Sequence, residues 1–427
     1  MVSHVSDGAV AALGVANLFI FLSLTCFNFI SIGASVVVTH HVGAGDLKGA
    51  QKIVATAISV NTWIGLIVSL IAFVFAEPLL RLMQLPPDLM VYARPFLSLM
   101  GGSIFMEAMN GAIGASLRAH GYTRDAMVVT MLQNVLNVIG NCVLLFGLFG
   151  APKMGVTGVA LSSVFSRVMA SLALWILLER RLKLRLHVRD FFDFQLDRIK
   201  RILHIGLPAA GEHLSYCFMM MMITSFVARG GVTSLAQLVY TQQMQRFIML
   251  FSFSVGLGTE ILVGRFIGSG DFEAAYHEVM KSLRTGFIIT TSAVVTVAIF
   301  APQLLGLFSH DAAVIAGASL LLRLCVIYEP GRVFNIIVIN ALRATGNARF
   351  PVQVALVSQW LFVVPMAWFL GLKLGWGLPG IWAALMTEEW VRGMIMFRRW
   401  TQRRWLKYAH RSRAQVSNAL IPVVPEP

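Results

Sequence analysis

Apolar stretches of about 20 residues, the length that carries a helix across the hydrocarbon core of a bilayer, recur along the whole chain with short polar breaks between them. Eleven are read, at roughly 10–39, 51–75, 92–115, 127–149, 156–178, 203–228, 234–264, 284–306, 314–341, 351–371 and 379–397. Within lipid every backbone polar group must find a partner inside the chain, so such runs are predicted to be helices.

Two short segments of this pattern occur twice at a common offset of 225 residues. Gly43-Ala44-Gly45-Asp46 with Ala50 recurs as Gly268-Ser269-Gly270-Asp271 with Ala275, and Leu117-Arg118-Ala119-x-Gly121 with Arg124 recurs as Leu342-Arg343-Ala344-x-Gly346 with Arg349. Gly33 pairs with Gly258 in the same register, and Gly155-Val156-Thr157-Gly158 pairs with Gly377-Leu378-Pro379-Gly380 after a slip of three residues. Duplicated membrane bundles of this kind are common in secondary transporters, whose binding site lies between the halves.

Composition agrees. With 57% hydrophobic and 13% charged residues and a mean hydropathy of +0.75, the chain is excluded from the soluble globular class, where about a quarter of residues are charged. A net charge of +14 would suit nucleic acid, but 24 of the 34 Lys and Arg residues fall on one set of alternate loops, chiefly Arg180 to Arg201 and Arg398 to Arg413. Arg81, Arg94, Lys153, Arg229 and Lys373 lie on the other set, and Arg167, Arg246, Arg323, Arg332 and Arg392 within helices. This positive-inside asymmetry predicts a multi-pass protein of the plasma (inner) membrane with a cytoplasmic C-terminus, and no nucleic-acid partner. Cys26, Cys142, Cys217 and Cys325 sit inside predicted helices without metal-ligand spacing, as packing residues do. The first apolar stretch is too long for a signal peptide and follows no basic region, so no cleaved leader is expected.

The ordered, duplicated set of GAGDxxxA, LRAxG-xxR and GVTGVA resembles the multidrug and toxic compound extrusion (MATE) family, over nearly the whole chain. The resemblance implies an all-α, polytopic bundle of two pseudo-symmetric lobes on a twelve-helix plan, working by antiport of organic cations against H⁺ or Na⁺. Eleven spans divide here as five and six, and helix 203–228 precedes the segment that matches Ala9 to Thr39. Met1-Val2-Ser3-His4 resembles the end of the family's first helix, so an upstream helix is expected, and with it the membrane Asp that the family's first helix often carries. The domain expectation is an N-terminal lobe over 1–185, a basic cytoplasmic linker over 186–201, a C-terminal lobe over 202–400 and a basic tail over 401–427.

An ionisable side chain in the bilayer costs several kcal/mol unless paired or hydrated, which makes each one a functional candidate. Glu212 follows Pro208, a residue that can loosen its helix, at a position similar to that of an acidic residue implicated in cation coupling in NorM-like members. Glu329 opens Glu329-Pro330-Gly331-Arg332, with Arg332 three residues on, and an internal ion pair and an ion-opened gate both fit. These three are the expected ion-coupling residues. Glu388-Glu389-Trp390-x-Arg392 resembles a DEW-x-R element of a bacterial branch and suits a local ion pair. Glu107 falls at the position equivalent to Arg332. Asn137 and Asn141 stand four apart where relatives often have Asn followed by Asp; an amide cannot bind and release a proton, which shifts the expected proton site to the second lobe. Asn110 and Asn335, equivalent across the repeat, and Tyr216 complete the expected cavity lining. Met219 to Met222, with Tyr240, Phe247, Phe251 and Trp360, suit an adaptable cation-attracting pocket or ordinary packing.

The leading function is therefore ion-coupled export of amphipathic, cationic small molecules by alternating access, without a cofactor and without a metal site beyond one for transported Na⁺. The expected partners are a small organic substrate and membrane lipids, the protein acting as a monomer. A flippase for a lipid-linked saccharide is the nearest alternative, for which a cationic cavity and extra helices are expected. A membrane enzyme would need a reactive cluster such as HExxH, and a channel a filter-like loop; neither is visible.

Overall fold

The computed structural model describes residues 7–420, and regular structure among them is helical throughout. The helices are α1 (Asp7–Gly43), α2 (Leu47–Val74), α3 (Ala76–Leu82), α4 (Met90–Gly102), α5 (Ile104–Ala119), α6 (Thr123–Phe146) and α7 (Gly155–Leu182). They continue as α8 (Leu196–Ala228), α9 (Gly231–Ser269), α10 (Phe272–Ile299), α11 (Ala301–Gly306), α12 (Ala312–Ala344), α13 (Arg349–Val357), α14 (Val364–Ala367), α15 (Gly377–Thr401) and α16 (Leu406–Leu420). Met1 to His4, matched above to the end of a family helix, and residues 421–427 lie outside the described residues.

Each of the eleven apolar stretches falls on helix. Nine spans among the described residues are long and apolar enough to cross a membrane, and α8 and α15 have the length but carry charged side chains inside it. Their outward faces are apolar: Phe21, Ile67, Leu70, Leu132, Leu172, Leu250 and Leu361 are all exposed. That is the surface lipid requires. Ser31, Asn61, Thr241, Glu329 and Gln359, by contrast, are buried.

The chain divides into two compact units. One comprises residues up to Val38 with Leu47–Leu207, the other Thr39–Asp46 with Pro208 onward. In the first unit Ile20, Phe27, Leu80, Phe96, Leu97, Ile104 and Val156 form a buried core. In the second, one core gathers Met219, Ile223, Ile248, Leu322, Tyr328 and Trp382, and another Val263, Ile267, Ile337, Leu342, Trp400 and Trp405.

The repeated motifs end helices by the same bonds in both copies. Gly45 and Gly270 adopt φ of +77° and +85°, and the next N–H, of Asp46 or Asp271, bonds back to His41 O or Phe266 O at 2.9 Å. Gly121 and Gly346, at φ +93° and +87°, turn the chain so that Tyr122 and Asn347 donate to Leu117 O and Leu342 O. A left-handed residue that closes a helix in this way favours glycine. Asp271 then caps α10 by accepting from Ala274 N at 2.9 Å.

Three features depart from a uniform set of straight spans. The third span breaks at Ser103 between α4 and α5, whereas its copy α12 runs on through Pro330. The 351–371 stretch contains two π-helical segments, Ser358–Val363 and Trp368–Lys373; wide turns of this kind are frequent at functional sites. The tail, expected only to be basic, forms α16, whose Ser412 Oγ donates to Thr345 O while Trp405 stacks on Trp400 at 4.4 Å.

Within the second unit the end of α1 crosses α9 reciprocally. A Cβ on Gly43 would stand 2.0 Å from Arg265 O, and one on Gly268 would stand 2.1 Å from His40 O; the repeat offset carries Gly43 onto Gly268 and His40 onto Arg265. Backbone therefore meets backbone at matching positions. Gly268→Ala is expected to lower stability by about 1–3 kcal/mol through overpacking. Gly258→Ala, where nothing lies within 4 Å, is expected to be neutral or mildly stabilising. Thermal unfolding of the two purified variants in detergent checks both.

Candidate functional site

Glu329, Arg332 and Asn335 recur every third residue on α12 and lie along one side of it. Arg332 is twelve residues from the helix end at Ala344, about 18 Å along the axis, which puts it near the middle of a hydrocarbon core about 30 Å thick. There it meets Glu388, Glu389 and Arg392 of α15. Arg332 donates to Glu329 Oε1 at 2.9 Å and, through Nε, to Glu389 Oε1 at 3.4 Å. Asn335 Nδ2 donates to Glu389 Oε2 at 2.5 Å and to Glu389 O at 2.8 Å. Arg392 donates to Glu389 Oε2 at 3.3 Å, and its Nε lies 3.0 Å from Glu388 Oε1 as an ion contact outside hydrogen-bond geometry.

Neighbouring helices supply further partners. Gln245 of α9 donates to Glu329 Oε1 at 3.0 Å, Ser358 of the first π-helical segment donates to Glu388 Oε1 at 2.6 Å, and the Arg332 guanidinium lies 4.3 Å over the Tyr328 ring. Gly331 lets the Trp390 indole approach α12, since a Cβ there would stand 3.0 Å from the ring. Trp390 Nε1 donates to Ile327 O at 2.8 Å, beside Pro330.

The charges of this buried cluster do not balance. Three carboxylates, Glu329, Glu388 and Glu389, face two guanidiniums, Arg332 and Arg392. Glu329 is 0% exposed, and its Oε2 has no hydrogen-bond partner. An uncompensated carboxylate at this depth is strongly disfavoured. One proton or one monovalent cation would balance it.

Glu212 stands apart in the hydrogen-bond pattern. Its Oε2 accepts from Arg343 of the Leu-Arg-Ala motif at 2.6 Å, while Arg392 lies near enough to feel its charge. Tyr216, one turn on along α8, is 39% exposed and feels the charges of Arg332 and Glu389. Met219 is buried in the unit's core, and Met221, Phe247 and Phe251 are exposed. Ser215 donates to Gln359 and accepts from Trp360, joining α8 to the first π-helical segment.

The first unit carries a smaller polar centre. Arg167 Nε lies 3.3 Å from Glu107 Oε2, Gln133 donates to the same oxygen at 3.5 Å, and Asn110 Nδ2 donates to Arg167 O at 3.5 Å. Asn141 donates to Asn137 Oδ1 at 3.1 Å, and Asn137 to Ser163 Oγ of α7 at 2.8 Å. Glu107 and Arg332, at equivalent positions, thus each pair inside their own unit.

With the three-residue slip at Gly155/Gly377, Arg167 corresponds to Glu389. Glu107–Arg167 and Arg332–Glu389 are therefore one pair with its charges exchanged, and the Asn110–Arg167 carbonyl bond recurs as Asn335–Glu389. The internal alignment carried this signal. Gln245, Ser358, Gln133 and the Arg343 partner of Glu212 had none, because polar residues scattered on apolar helices reveal no partner before the helices are packed.

The match to the MatE family model covers residues 1–143 and 208–369. The chain belongs to the MatE family of transporters. It is 42% identical over 407 residues to the uncharacterized transporter YisQ of Bacillus subtilis (strain 168), covering 95% of this chain and 90% of that one. It is 25% identical over 421 residues to the probable multidrug resistance protein NorM of Thermotoga maritima, covering 97% and 89%. The outward-facing structure of a multidrug resistance MATE family transporter of the MOP superfamily superposes with a TM-score of 0.86 at 20% identity, covering 94% of this chain and 89% of the other. This MatE-family chain is thus a multi-pass membrane transporter with the MATE fold. Its family and structural neighbours are transporters, not enzymes.

The imbalance makes the two partners of the α12 ion pair unequal. Arg332→Gln leaves Glu329 and Glu389 both short of a partner and is expected to cost about 3–5 kcal/mol, whereas Glu329→Gln removes the excess charge and costs less. Unfolding midpoints of the two single variants and the double variant check this, with a coupling of about 0.5–3 kcal/mol expected from the cycle.

Proposed function

We propose that this MatE-family transporter is a secondary antiporter of the plasma (inner) membrane that exports amphipathic, cationic small molecules in exchange for H⁺ or Na⁺. Two lobes, joined by a cytoplasmic basic linker and followed by a cytoplasmic tail, work by alternating access. The observation that carries the reading is the α12–α15 cluster, short of one positive charge, with Glu329 Oε2 buried and unpartnered. Occupancy by a coupling ion cancels the excess charge, and its departure leaves a carboxylate that attracts the next cation. Antiport follows when only the neutralised cluster permits return of the empty carrier, so that each export event is tied to one ion's entry. Glu212, linked to Arg343 at the cytoplasmic motif and close to Arg392, relays the state of the cluster to the inner end. Asn110, Asn137, Asn141, Tyr216 and Asn335 line the substrate path in this reading, and the multidrug resistance proteins among the relatives support its direction.

Reconstitution in vesicles with an imposed H⁺ or Na⁺ gradient tests it. Wild-type protein is expected to accumulate an organic cation such as ethidium against its gradient, driven by one of the two ions. Glu329→Gln is expected to be inserted and folded but to lose that drive, with uptake falling at least about tenfold, the effect of roughly 1.4 kcal/mol. Gradient-driven transport by Glu329→Gln at the wild-type rate would overturn the assignment.

A further inference from the structure

The exchanged ion pairs differ in how firmly each carboxylate is held. In the second unit Arg332 and Glu389 are both buried, at 9% and 6% exposure, and Glu389 accepts from Arg332, Arg392 and Asn335 together. In the first unit Arg167 is equally buried at 8%, but Glu107 is 30% exposed. The shorter bonds of Arg167, 3.0 Å each, run to Met100 O and Ser103 Oγ, groups made available by the helix break at Ser103. The contacts of Glu107 are longer: an ion contact with Arg167 Nε at 3.3 Å and a bond from Gln133 at 3.5 Å.

Two physical consequences follow. Glu107 lies twelve residues from the end of α5 at Ala119, about 18 Å along the axis and hence near mid-depth. A carboxylate partly exposed there faces water, because exposure to hydrocarbon is too costly. Arg167, held by a backbone carbonyl and a hydroxyl, can lose its carboxylate without being stranded. The pair is built to open toward a cation arriving from the water side.

We propose that Glu107 is the docking carboxylate for the positive head of the transported organic ion, which replaces Arg167 at Glu107 Oε2. The ligand class is a lipophilic organic cation, quaternary or protonated. For a protonated amine, Asn110, three residues along α5, adds a buried Oδ1 that has no partner. The reversed polarity of the repeat then divides the work: the first unit presents a loosely held acid to substrate, and the second locks its acids around the coupling ion. The inference rests on the export of organic cations proposed above.

Equilibrium binding of tetraphenylphosphonium to the purified full chain tests it. Glu107→Gln is expected to weaken binding at least about tenfold, and Glu107→Asp to restore part of it. Arg167→Gln removes the competing guanidinium and is expected to tighten binding several-fold, whereas a purely structural pair would have both single variants weaken it. Glu77→Gln, which takes a carboxylate from the exposed Arg81 and Arg94 contacts of the same unit, serves as the charge control and is expected to bind as wild type. Unfolding midpoints confirm that the variants are folded. Equal binding by wild type and Glu107→Gln, or weakening by Arg167→Gln to the same degree as by Glu107→Gln, would overturn the docking role while leaving cation export standing. Wild-type protein that fails to bind the probe would overturn the cationic reading and this inference with it.

Discussion

Neutralising charge at mid-bilayer depth is the constraint on which the rest of the structure depends. Hydrocarbon cannot solvate a carboxylate, so each acid must find a base, a dense set of donors, an ion or a water-filled cavity. The α12–α15 contact answers with two arginines shared among three glutamates, a serine from a π-helical segment and a glutamine from α9. Much of the local backbone serves that contact. Gly331 admits Trp390 close to α12, and the indole bonds the Ile327 carbonyl beside Pro330. The π-helical turn brings Ser358 to Glu388.

Duplication explains why each unit carries a polar centre twelve residues before the end of its copy of the repeated helix, and divergence explains why the centres differ. An exchanged Glu–Arg pair keeps its attraction wherever both charges swap together, so reversal of polarity across the repeat is tolerated electrostatically. The surroundings then separate. Copy two carries two further acids, Glu329 on α12 and Glu388 on α15, and a second arginine, Arg392, on α15, whereas copy one breaks its helix at Ser103 and ties Arg167 to Met100 O and Ser103 Oγ. A shared scaffold thus holds a tightly packed, charge-deficient cluster in one unit and a loose single pair in the other.

Much of this was legible in the chain. The period of apolar runs placed the spans, and the doubled Gly-x-Gly-Asp and Leu-Arg-Ala-x-Gly motifs showed the repeat, whose two copies the structure closes with matching bonds. Glu329–Arg332 and Glu388–Arg392 could be read as pairs because three or four residues on a helix bring side chains together. Joining those pairs into one cluster required the packing of α12 on α15, which no local spacing encodes. The bond from Arg343 to Glu212 spans 131 residues and is likewise a product of tertiary structure. The two π-helical segments were hidden because an apolar stretch reads alike whether its turns are regular or wide.

The α12–α15 cluster of the second unit is short of one positive charge. Potentiometric titration and equilibrium binding of radiolabelled Na⁺ to purified, substrate-free protein, wild type against Glu329→Gln, count it directly. The wild-type chain is predicted to take up one more H⁺ or Na⁺ than the variant, because the glutamine leaves the cluster balanced. Identical uptake of both ions by the two proteins would contradict the claim that the cluster is a coupling-ion site.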